Sequence, residues 1–133
     1  MSGVNDLDDL PTGENVGPEG VVSVPALELT HEELAEDEVV AGSPTTGLAE
    51  LGSLAGVDYG VWEMTEGTAT DVEADEVFVV LSGSATVTVA EAGGHAARVL
   101  ELGPGSLVHL WAGEETVWEI HSALRKVYFT PAG

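Results

Sequence analysis

The stretch "DEVFVVLSGSATVTV", residues 75–89, decides how this chain is read. An apolar run, "VFVVL", ends at Gly83 and an alternating Thr/Val run, "TVTV", follows it, the signature of half-buried β-strands separated at the glycine. Glu76 stands seven positions before that glycine, a charge set into an otherwise apolar strand. Whether that carboxylate does chemistry is the central question the sequence raises.

Working outward, the 133 residues suffice for one domain with a core of its own and are few for two. A hydrophobic fraction of 44% favours a folded globule over a disordered chain despite the charge. The absence of cysteine excludes disulfides, thiolate metal sites and cysteine nucleophiles. Twenty-four acidic residues face three basic ones (Arg98, Arg125 and Lys126), a formal charge of −21. A field of that sign repels DNA, RNA and anionic membranes, so neither a nucleic acid nor a membrane is expected as partner. The acids are spread along the whole chain and lysine is nearly absent, a pattern that fits adaptation to molar salt, where self-repulsion is screened. No apolar run approaches a bilayer span, and "MSGVNDLDDLP" lacks the basic flank and apolar region of a secretory signal, so a cytoplasmic location is expected.

Residues 1–20, rich in Asp, Gly, Pro and Asn, read as a flexible acidic arm ahead of a single domain over 21–133. "VVSVPALEL" (21–29) predicts an edge strand broken at Pro25. Thr30 and Glu33 have capping-box spacing and predict a short helix over 31–36. From residue 57 onward, seven short runs punctuated by Gly and Pro read as an antiparallel sandwich or barrel.

The order and spacing of these runs resemble the cupin superfamily, small jelly-roll barrels. The family's first motif ends in glutamate, six residues and glycine, matched by Glu76, "VFVVLS" and Gly83. Its second motif is approached by "LGPGSLVHLWAGEETVWEI", with Ser106 where an acid is usual and Trp111 where proline is usual. "GVWEMTEG" (60–67), "WAGEETVWEI" (111–120) and "RKVYF" (125–129) are similar to single-domain cupins related to ureidoglycine aminohydrolase and the ethanolamine-utilisation cupin. The resemblance covers roughly residues 39–130 and implies an all-β fold, a double-stranded β-helix with an N-terminal extension, and a homodimer. The strand at 21–24 is a candidate to cover an edge or swap across that dimer.

The same resemblance raises the metal question. Metal-binding cupins supply an H-x-H pair before the glutamate and a third histidine after the Pro-x-Gly turn. Those places fall here on Thr70 and Val72, or Ala69 and Asp71, and on Thr116. None is histidine, so no cofactor is expected; a metal, if bound, would be a divalent transition ion. His31 reads as a solvated surface residue and His95 as a turn residue. His109 and His121 lie on strands, with His121 facing outward by parity.

Three readings of Glu76 remain open: a relic bonded to Tyr128 or Trp118, a general acid or base, or a residue turned to solvent. The first functional expectation is that the barrel binds or transforms a small polar metabolite, with Glu76 as candidate catalytic group. Trp62, Phe78, His109, Trp118, Lys126 and Tyr128 would form the pocket wall. Alternatives are a metal-dependent hydrolase or isomerase using Asp71, Glu73 and His109 as substitute ligands, and a non-catalytic cupin filled by its own side chains.

Overall fold

A computed structural model of the protein describes residues 19–132. The expected acidic arm over 1–20 therefore lies almost wholly outside the described residues. Nine strands form the body: β1 (His31–Glu33), β2 (Val39–Ala41), β3 (Thr45–Leu54), β4 (Val57–Met64), β5 (Gly67–Val72), β6 (Glu76–Val89), β7 (Arg98–Leu102), β8 (Leu107–Leu110) and β9 (Glu115–Pro131). One 3-10 turn, Val24–Ala26, precedes them. Among the described residues there is no α-helix, and hence none long and apolar enough to cross a membrane.

The two longest strands, β6 and β9, run antiparallel and bend together. The first half of β9 pairs with β5, the second half with β4, and both halves pair with β6. β8 adds to the first half of β6 and β7 to its second half. The sheet thus folds back on itself and encloses a core, the jelly-roll barrel that the cupin resemblance implies.

Gly83 makes the bend. Its φ of 88° lies in the left-handed region, and a Cβ there would overlap the Ala123 carbonyl of β9. Register between β6 and β9 shifts on both sides of it. Before the bend the inward residues are Phe78 and Val80; after it they are Ala85, Val87 and Val89. The bulge reverses the parity of the strand, so one sequence stretch serves two faces of the barrel. Even parity in the first half also turns Glu76 inward.

Two apolar clusters result. The barrel interior holds Phe78, Val87, Leu110, Trp118, Ile120, Leu124 and Tyr128 among others. A second cluster lies outside the barrel, where Leu27, with Val22, Val24 and Leu29 beside it, packs on Ala49, Leu51 and Val61 of β3 and β4.

Two local expectations are corrected here. The segment 21–29 is not a strand: Pro25 sits in the 3-10 turn, and the segment holds to the barrel by side-chain packing. Residues 31–33 are strand β1, paired with Thr45–Gly47, and not the start of a helix. A six-residue helix would carry no nucleation advantage, whereas β-pairing supplies tertiary partners at once. His31 is likewise half-buried and bonded, not a free surface residue. Its ring bonds Thr45 Oγ1 at 2.8 Å through Nδ1 and Glu63 through Nε2. Arg125 grips the same Glu63 carboxylate at 2.9 Å and donates to the Val24 carbonyl at 2.7 Å, fastening the N-terminal segment to the sheet.

Candidate functional site

The barrel opens into a cavity of about 370 Å³. β4 brings Trp62 and Met64 to it and β3 brings Thr46 and Leu48. β5 contributes Ala69, Thr70 and Asp71, and β9 contributes Trp118, Lys126, Tyr128 and Thr130. Leu34, Glu38, Glu73, Ala74 and Glu76 complete the lining.

Lys126 is the chemical centre. It is only 5% exposed, and its Nζ stands 2.6 Å from Glu76 Oε2. The approach lies off the hydrogen-bond direction, so the contact is an ion pair and leaves Glu76 Oε2 without an aligned donor. Three rings surround the same ammonium, with centroids 4.2 Å (Phe78), 4.5 Å (Trp62) and 4.9 Å (Trp118) away. Ring faces carry negative quadrupole charge and attract the ammonium. Trp62 and Trp118 also pack on each other with centroids 5.5 Å apart.

A second carboxylate, Glu73, is buried beside this group. Its Oε2 accepts from Thr116 Oγ1 at 2.6 Å and from Trp118 Nε1 at 3.1 Å, which fixes the indole against Lys126. Asp71 lies at the rim, exposed along one side. Burial of its carboxyl, then repulsion from Glu73 and Glu38, raises its pKa to about 6, against an opposing backbone hydrogen bond from Val72 and the attraction of Lys126. Tyr128 is pushed up to about 12, chiefly by burial and then by the charges of Glu50, Glu76 and Asp58. Gly60 makes room for it: a Cβ there would overlap the tyrosine hydroxyl and the Ala49 carbonyl.

Of the residues singled out in sequence, Glu76, Trp62, Trp118, Lys126 and Tyr128 line this one cavity. Phe78 is fully buried behind the ammonium and forms its backing. His109 is elsewhere. It faces outward on β8 and stacks on Trp111 with centroids 3.9 Å apart, while His95 packs on the same indole at 4.2 Å. His121 is exposed and bonds Thr86 Oγ1 at 2.8 Å on the outer surface. Trp118 and Tyr128 do not hydrogen-bond Glu76; the indole N–H goes to Glu73. Sequence reading named Glu73 only as a substitute metal ligand and missed Glu38, Leu48 and Met64. The last two were accessible in principle, because β3–β4 pairing sets Leu48 opposite Trp62, and Met64 shares its parity.

The donors present do not fit the metal of metal-binding cupins. Thr116 spends its hydroxyl on Glu73, Thr70 and Val72 offer no imidazole, and Glu76 faces an ammonium. Among the described residues, no three His, Asp or Glu side chains converge as a set able to hold a metal ion.

Comparison with known proteins agrees with this architecture. The profile of the EutQ-like cupin domain matches residues 51–128. The EutQ protein of Clostridium difficile superposes with a TM-score of 0.64 at 19% identity, covering 89% of this chain and 92% of that one. A putative ethanolamine utilization protein Q from Salmonella typhimurium gives 0.57 at 14% identity over 80% and 99% of the two chains. The cupin domain of Schizosaccharomyces pombe Cnp3 gives 0.59 at 17% identity over 84% and 72%. At these identities the likeness is one of fold. No curated protein matches the sequence.

Proposed function

This chain belongs to the EutQ-like cupin domain family, and from that premise we propose that it binds a small polar metabolite in the mouth of its barrel, without the histidine metal site of metal-binding cupins. The observation that carries this reading is the Lys126–Glu76 pair at the base of an apolar-walled cavity of about 370 Å³. Pockets that take small molecules combine apolar and aromatic walls with a few convergent polar groups, and this one does both. A cavity of that size also favours a binding role over a barrel filled by its own side chains.

Glu76 is the group placed to accept or donate a proton to such a ligand, with Lys126 as its counter-charge. One structural neighbour is named a putative ethanolamine utilization protein, which makes small amines and amino alcohols a sensible first set for a ligand screen. The test is a thermal-shift screen of metabolites in molar KCl, followed by calorimetry on the hits. A true ligand raises the unfolding midpoint by mass action, and Glu76→Gln shrinks that rise when each protein is compared with its own unliganded midpoint. A screen in which no compound responds, or in which every response survives Glu76→Gln, sinks the reading.

The proposal includes a homodimer. Val57, Trp111 and Phe129 border one outer groove, each more than a third exposed, and apolar surface of this kind suits a second copy. Light scattering in molar KCl reads the mass directly.

A further inference from the structure

We propose that Lys126 is the resident cation of this barrel, standing beside Glu76 where metal-binding relatives of the fold hold a metal ion, and that it offers its remaining N–H donors to an uncharged carbonyl or hydroxyl oxygen of the ligand. The docking half rests on the binding reading above; the electrostatic half does not. Glu76 is the one consensus ligand retained in the chain, and its partner is an ammonium at 2.6 Å. That ammonium is enclosed by Trp62, Phe78 and Trp118, an aromatic cage filled from within. A metal at Glu76 would have to displace a buried positive charge and would find no imidazole to complete its shell.

The class of ligand follows from charge. An ammonium has three donors, and Glu76 is the only side chain in ion-pair contact with this one among the described residues. Glu76 already neutralises Lys126, while Glu38, Asp71 and Glu73 line the same cavity in a chain of net charge −21. An anion enters against that field; a neutral oxygen does not.

A double-mutant cycle tests the electrostatic half by thermal unfolding in molar KCl. Lys126→Met alone strands a buried carboxylate and lowers the midpoint by roughly 10 °C. Adding Glu76→Gln recovers more than half of the loss. Additive losses overturn the proposal. Should Lys126→Met fail to fold, a double variant that folds supports the proposal and one that stays unfolded overturns it. Manganese titrated calorimetrically into the wild type finds no Glu76-dependent site; a one-per-chain site abolished by Glu76→Gln overturns the proposal. For docking, acetamide and acetate are isosteric probes followed by the fluorescence of Trp62 and Trp118. Acetamide gives a saturable change that acetate lacks and that the double variant loses. Preference for acetate, a response unchanged in the double variant, or no response to either probe removes the docking role, whereas the metabolite screen judges the binding reading separately.

Discussion

Gly83 shows how much one residue decides. Both its φ of 88° and the overlap a Cβ would make with Ala123 require glycine, because the parity switch of β6 happens there. Gly83→Ala is expected to cost at least about 2 kcal/mol in urea unfolding, the scale of a residue held in a disfavoured backbone region. Asp71 gives a residue-scale pH signature. Its pKa is raised to about 6 from 3.8, so the ionised form is disfavoured in the folded state. The protein therefore gains stability as pH falls through 6, and Asp71→Asn removes that gain; urea midpoints measured between pH 5 and 7.5 check it. At this scale sequence reading reached far along strands and little across them. The inward turn of Trp118 fits the alternation of Thr116, Trp118 and Ile120, whereas the direction of Glu76 stayed open in the sequence because it depends on the register of β6. The bond from Trp118 to Glu73 was not legible, because its partner lies on a different stretch and only the closed barrel brings the two together.

Among elements, the N-terminal segment was the least legible. Capping-box residues at Thr30 and Glu33 pointed to a helix, but residues 31–33 find β3 as partner and become strand. Local capping signals lose to pairing when the candidate helix is too short to propagate. By contrast the residues of β6 to β9 were legible as strand, the runs being punctuated by Gly and Pro, although β6 and β9 were each read as two short strands and are single bent ones. The segment over 21–29 is fastened through Glu63, which receives both His31 and Arg125. Burial raises the Glu63 pKa, but the hydrogen bonds and charges of His31 and Arg125 outweigh it and hold the carboxyl below its ordinary value. Glu63→Gln should loosen the segment without opening the barrel. Amide hydrogen exchange is expected to speed up over residues 21–33, with β6 and β9 unchanged; equal acceleration in β6 would refute the assignment.

For the whole molecule, the charge of −21 and the apolar barrel act on different scales. The core argues for stability in any solvent, while the acidic surface repels itself unless screened. The unfolding midpoint is expected to climb as KCl is raised from dilute buffer to the molar range, and to climb equally with other chloride salts at matched ionic strength. A midpoint indifferent to ionic strength would show that the acids are too well spaced to matter. β9 carries a further consequence. It is the last strand among the described residues, yet it pairs with β4, β5 and β6, and it delivers Trp118, Lys126 and Tyr128 to the cavity. During synthesis the earlier strands emerge from the ribosome with their central neighbour still missing. Neither the barrel nor its ammonium can be assembled until residues 115–131 have cleared the exit tunnel, so folding of this domain is expected to wait for β9 and to finish in one closing step.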